Sequence, residues 1–275
     1  MPVISTNNAA NSALNYLNTN STKETNLLSQ LASGSRVVQA SDDAAGLAIG
    51  TQLQASNTVY TQDATNVSQG TAILQSADGA LAQISNVLQR MMALATEAAS
   101  GQVTNNQRSQ DINTEYGQLK SEIGSIVSST TYAGQTLLTG SFLSNVKFLV
   151  GTSSANSITI SVASVSVGGL LGTNGVSVST ATAAMSAINQ INSAINTVTQ
   201  DRAKLGAYES QFNFSGQDIA TNIQNISAAA SVVLDADVAS VKATLSATDV
   251  KTQASVAALT QASQLPQELL KLLQS

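Results

Sequence analysis

In two places, near opposite ends of the chain, an apolar or small residue returns at every seventh position. One series runs Leu53, Tyr60, Val67, Leu74, Leu81, Leu88, Ala95; the other runs Ile191, Val198, Leu205, Phe212, Ile219, Ile226, Val233. A stripe of that period lies along one side of a helix and stays against a partner only if the two helices wind gently round each other. Neither helix can bury its own stripe. The spacing therefore predicts a mainly α fold: an elongated antiparallel coiled-coil or helical-bundle rod formed by N- and C-terminal helices, with a small β-hairpin region from the middle of the chain. The pairing positions are Leu74, Leu81 and Leu88 on one side, and Leu205, Phe212, Ile219, Ile223 and Ile226 on the other.

Helix punctuation divides the rest. A first helix is expected over Asn7 to Leu31, with Leu14, Leu17, Leu28 and Leu31 brought to one side, and Ser33-Gly34-Ser35 stops it. A linker from Val37 to Gly46 holds Asp42 and Asp43, whose carboxylates can accept from the unpaired N–H groups of the next helix. That helix runs to about Ser100, with Gly101 as its left-handed cap; at 1.5 Å per residue it is longer than about 70 Å. A third helix is expected over 105–129. Short alternating runs and glycines then mark a hairpin region at 140–179, clearest at Ser157 to Val162. A helix over 180–234 carries the second series of sevens, and Asp235 and Asp237 mark the next joint. The last helix, from Val238 to about Ser263 with Val241, Leu245, Val256 and Leu259, is expected to close at Pro266. The leucines beyond it, Leu265, Leu269, Leu270, Leu272 and Leu273, gain little at a terminus of a monomer and suit burial in a polymer, as do Leu14, Leu17, Leu28, Leu31 and Leu259. The expected division is 1–42 with 236–275 as one helical region and 43–235 as the other.

Composition narrows the function. Charged residues are 10% of the chain, against roughly a quarter in an ordinary soluble domain, which suits a subunit surrounded by subunits. The net charge of −5 and the lack of a basic run argue against nucleic acid, which is held by Lys and Arg displacing counterions. With no Cys and no His, thiolate chemistry, the commonest metal ligand and the commonest general base are missing. No cofactor, no metal and no catalysis are expected; the paired carboxylates at 42–43 and 235–237 read as caps at joints. No run is apolar enough for membrane insertion, and residues 1–10 lack the pattern of a cleaved secretory signal.

The block from Leu31, through Ser33-Gly34, to Asp42-Asp43-Ala44-Ala45-Gly46 resembles the linker between the first two helices of bacterial flagellin, where Leu-Ser-Ser-Gly is followed by Asp-Asp-Ala-Ala-Gly. Gly79-Ala80-Leu81, Leu88-Gln89-Arg90, Leu205-Gly206-Ala207 with Phe212, and Gln264-Leu265-Pro266-Gln267 agree in order, and the likeness covers about 2–138 and 181–273. The resemblance implies a structural subunit that self-polymerises into the extracellular flagellar filament used for swimming. The regions 1–42 and 236–275 would line its inner tube, 43–235 would form its outer tube, and no additional outer domains are expected. It further implies export by the flagellar secretion apparatus without a cleaved signal, and an export chaperone, a filament cap and hook-junction proteins as partners.

Leu88, Gln89, Arg90 and Leu94 are similar to the patch by which a vertebrate Toll-like receptor senses flagellins; Met92, Ala93 and Glu97 stand where receptor-activating members usually carry Arg, Glu and Gln. Val232, Val233 and Leu234 replace the family's usual Arg and acidic residue before the second joint, and Ala133 replaces its usual Asn. Two other functions fit parts of the pattern: a hook-filament junction protein, which shares the terminal helices, and a filament-displayed adhesin or glycan-binding module using 146–179.

Overall fold

The computed structural model of the chain describes residues 7–140, 142–172 and 176–274, with side chains described as far as residue 264. Helix α1 (Asn8–Ser33) opens on Asn7, whose Oδ1 accepts the Ala10 N–H at 3.0 Å. It ends on Gly34 at φ 69°, a left-handed residue whose N–H returns to the Gln30 carbonyl. Helix α2 (Ala44–Ala99) follows and is 56 residues long.

Gly101 does not make the left-handed cap expected of it, because among the described residues positive φ is confined to Gly34, Ala133, Gly134, Gly140 and Gly172. The carbonyls at the end of α2 go to Arg108 instead. Its guanidinium donates to the carbonyls of Ala98 at 2.5 Å, Ser100 at 3.1 Å and Val103 at 3.0 Å, and to Asn105 Oδ1 at 2.7 Å. Arg108 is buried without an acidic partner, and the negative end of α2 supplies its counter-charge.

The third expected helix is broken into three pieces. Helix α3 (Asn105–Gln107) starts on a capping box, in which Thr104 Oγ1 accepts the Gln107 N–H and Gln107 Oε1 accepts the Thr104 N–H. A π-helical turn (Arg108–Ile112) then turns both Arg108 and Ile112 inward, and helix α4 (Asn113–Ser129) continues.

Strands β1 (Thr131–Tyr132) and β2 (Gln135–Thr136) form a two-residue hairpin with Tyr132 opposite Gln135. This hairpin lies before the region 140–179 in which hairpins were expected, because Ala133 at φ 50° and Gly134 at φ 80° supply the paired positive angles that the turn needs. Strands β3 (Val146–Leu149) and β4 (Ser157–Ile160) pair antiparallel within it. The rest of that region includes a short helix, α5 (Val167–Leu171), where strands were expected. Its glycines read as breakers, but Ser166 Oγ caps it through the Gly169 N–H and burial of Leu170 and Leu171 holds it in place.

Helix α6 (Ala181–Leu234) starts after Thr180, whose Oγ1 accepts the Ala183 N–H. Helix α7 (Val238–Gln274) runs through Pro266 rather than closing there. Proline brings no N–H, so the Ala262 carbonyl one turn earlier lacks its helical donor. Asn7 Nδ2 supplies that donor at 2.6 Å, so one side chain caps the start of α1 and repairs α7.

The chain forms two compact units: residues 1–56 with 225–275, and residues 57–224. In the second, the buried core gathers Leu74, Leu81, Leu88, Leu205, Phe212 and Ile219 from the two rows of sevens, and Ile223 packs against it half-buried. The antiparallel sense of α2 and α6 is visible in Arg202 donating to both carboxylate oxygens of Asp78, at 2.8 and 3.1 Å, and in Val67 lying against Gly216. Phe212 fills a notch at Gly70, where an added Cβ would lie 2.7 Å from its ring, and meets Phe148 of β3 edge-on at 5.4 Å. In the first unit, α1 and α7 pair antiparallel, with Asn20 donating to Ser255 Oγ and Thr252 Oγ1 to Glu24 Oε2.

Candidate functional site

Two features mark the first unit: a joint where four helix ends meet, and a helix pair with apolar side chains left outside. At the joint, the backbone N–H of Arg36 donates to the Leu234 carbonyl and that of Ala236 to the Gly34 carbonyl, and Ser35 bridges to Asp235. The Arg36 guanidinium reaches the Val233 carbonyl at 2.9 Å and Asp43 Oδ2 at 3.1 Å. Because it is a backbone carbonyl that receives Arg36, the apolar side chains of Val232, Val233 and Leu234 do not prevent the junction. Gly46 lets Asp43 and Arg36 close over the first turn of α2, since an added Cβ would lie 2.4 Å from Asp43 Oδ2.

The four joint aspartates divide by role. Asp43 Oδ1 accepts the Gly46 N–H at 2.8 Å and starts α2, and Asp237 Oδ1 accepts the N–H groups of Ala239 and Ser240 and starts α7. Asp42 accepts from the N–H groups of Val38 and Gln39, so it closes the turn before the helix rather than capping it. Asp235 accepts the Ser231 hydroxyl at the end of α6. The Gly46 N–H, and after it Arg36, hold the Asp43 carboxyl below its ordinary range. No group of three His, Cys, Asp or Glu side chains that could hold a metal occurs among the described residues.

The face of α1 turned to α7 is Ala13, Leu17, Asn20, Glu24, Leu27 and Leu31, a heptad row that includes two polar residues. It divides the leucines expected on one side: Leu17 and Leu31 are half-buried, whereas Leu14 and Leu28 lie one position off the row and are 45% and 57% exposed. The reason is periodicity, because residues 14 and 28 fall beside the stripe defined by 17, 24 and 31. On α7 the row is Val241, Leu245, Thr248, Thr252, Ser255, Leu259 and Ala262; Leu259 is half-buried and Val256 is exposed. A shallow cleft of about 500 Å³ between the helices is lined by Ala13, Tyr16, Asn20, Lys251, Ala254 and Ala258. The side chains of Leu265, Leu269, Leu270, Leu272 and Leu273 lie outside the described residues.

In the second unit, Leu88 and Leu94 are buried in the core, whereas Gln89 and Arg90 are exposed on α2, and Arg90 pairs with Glu115 of α4 at 2.6 Å. Ile226, in the first unit, is half-buried.

Three buried charged residues, Arg108, Asp201 and Asp63, carry only weak signals in the sequence. Arg108 follows a Thr-x-x-Gln box, a helix-start signal legible in hindsight. Asp201 stands three residues after Val198 on the α6 row, with one oxygen taken by Lys204 and the other unpaired; Asp63 stands three residues after Tyr60 on the α2 row. A charge on an apolar row reads as a gap in the pattern, so spacing alone marks neither aspartate as buried.

The family model "Bacterial flagellin N-terminal helical region" matches residues 4–142, and "Bacterial flagellin C-terminal helical region" matches residues 179–273. The chain is 31% identical over 259 residues to the flagellar filament 30.7 kDa core protein of Treponema maltophilum, covering 90% of each chain. It is 31% identical over 274 residues to the flagellin of Listeria monocytogenes, covering 94% of this chain and 95% of that one. Among solved structures, Bacillus cereus flagellin superposes with a TM-score of 0.51 at 25% identity, over 60% of this chain and 94% of that one.

Proposed function

The chain belongs to the bacterial flagellin family, and we infer that it is the repeating subunit of a flagellar filament, joined to copies of itself through the apolar faces that α1 and α7 leave uncovered. The observation that carries this reading is the α1–α7 pair. Polar residues Asn20, Glu24, Thr248 and Thr252 occupy the paired row, while Leu14, Tyr16, Leu28, Val250 and Val256 stand in solvent. A helix pair that turns its leucines outward is completed by neighbours.

On this reading, residues 1–42 and 236–275 line the inner tube, 43–235 form the outer tube, and the terminal leucines from Leu265 to Leu273 pack between subunits. The work is structural, and the filament lies outside the cell. Subunits leave through the flagellar export apparatus without a cleaved signal, delivered by an export chaperone, placed by the filament cap and seated on hook-junction proteins. A Toll-like receptor would meet Gln89 and Arg90 on the surface of α2, with Leu88 and Leu94 holding that turn of helix from beneath.

Sheared filaments from cells making this chain test the proposal against the junction-protein alternative. A filament subunit gives the dominant band, at 28.1 kDa; a trace band beside another dominant subunit would overturn the assignment.

A further inference from the structure

Asp63 is 1% exposed, and its Oδ2 has no hydrogen-bond partner. It is the only charged residue on α2 between Ala44 and Ala77. The part of α6 that faces this turn, continuing from Gly216 opposite Val67 to Ile219 and Ile223, carries one charge, the exposed Asp218. The β3–β4 hairpin, tied to α2 by Asn66 Nδ2 donating to the Leu149 carbonyl, carries the exposed Lys147. The four described ion pairs are Arg36–Asp43, Arg90–Glu115, Arg202–Asp78 and Lys204–Asp201, so no cation answers Asp63.

An ionised carboxylate without a partner in an apolar seam loses its hydration and gains nothing in return. We propose that Asp63 makes this turn of the α2–α6 seam responsive to protons, loosest when the carboxylate is ionised and closed when it is protonated. Burial favours the neutral acid and raises the pKa of Asp63. The folded state therefore holds this proton more tightly than the unfolded chain does. The stabilisation is complete below the unfolded value and is lost as pH rises through the folded one. A neutral isostere removes the dependence.

The test uses full-length, unseeded protein with urea unfolding followed by far-UV circular dichroism from pH 4.5 to 8. Asp63→Asn should have a higher urea midpoint than the parent at pH 7, and the gap should shrink as the parent protonates. Carboxylate-detected NMR of the unmodified protein provides a second readout that does not depend on the variant folding: the Asp63 carboxyl should titrate at higher pH in the folded protein than in the same protein unfolded in urea. A midpoint for Asp63→Asn equal to or below the parent at pH 7, or an Asp63 carboxyl that titrates alike in the folded and the urea-unfolded protein, overturns the proposal.

Discussion

At the scale of single residues, the chain holds its irregular places with a few specific side chains. Ala133 sits at φ 50° in a turn that needs a left-handed residue, where a Cβ costs about 1 kcal/mol. Ala133→Asn, which tolerates that conformation, should raise stability by up to about 1 kcal/mol, read as a higher urea midpoint. Arg108 satisfies three carbonyls near the end of α2. Arg108→Ala should cost about 3 kcal/mol or more, because the carbonyls lose a charged donor; Arg108→Lys should recover only part, since an ammonium cannot fork across three acceptors. Asp43 and Asp63 should respond to acid in opposite senses. The folded pKa of Asp43 is lowered by the Gly46 N–H and Arg36, so its contribution is present above the unfolded value and lost as pH falls through the folded one. Asp43→Asn should therefore blunt the acid-side loss of stability, as measured by thermal melts between pH 2 and 5.

At the scale of elements, the rows of sevens were legible because a period of seven in apolar residues has one structural meaning, and Leu74, Leu81, Leu88, Leu205, Phe212 and Ile219 meet in one core. Whatever depended on a side chain reaching out of its own element was not legible. Gly101 carried the composition of a cap, but Arg108 does the capping from the next element, and Pro266 carried the signal of a stop that Asn7 overrides from the far end of the chain. The leucines of α1 group by apolar character in the sequence, although the paired row there includes Asn20 and Glu24. Of the joint aspartates, Asp43 and Asp237 could be read as helix caps because they directly precede helical runs; what Asp42 and Asp235 bond depends on turn geometry that spacing does not encode. Close packing also supplies a test at this scale. Gly70→Ala would place a methyl against the Phe212 ring, and overpacking of this kind costs about 1–3 kcal/mol. Its urea midpoint should fall, and Phe212→Leu in the same background should restore part of the loss.

At the scale of the whole molecule, each compact unit has its own logic. The second unit closes a continuous apolar core, whereas the first pairs α1 with α7 through a mixed polar row and leaves Leu14 and Leu28 exposed. Deleting Leu265 to Ser275 should leave a soluble, helical protein that sediments as a monomer under assembly conditions; filaments of normal length from that truncation would remove the tail from the interface. The most direct measurement is seeded assembly. The parent and a Leu14→Ser, Leu28→Ser double variant are mixed with sonicated filament fragments and followed by negative-stain electron microscopy and far-UV circular dichroism. Long filaments from the parent, with no elongation by a double variant whose second unit melts as the parent's does, are the expected result. Equal elongation by both proteins would contradict assembly through the uncovered faces of α1 and α7.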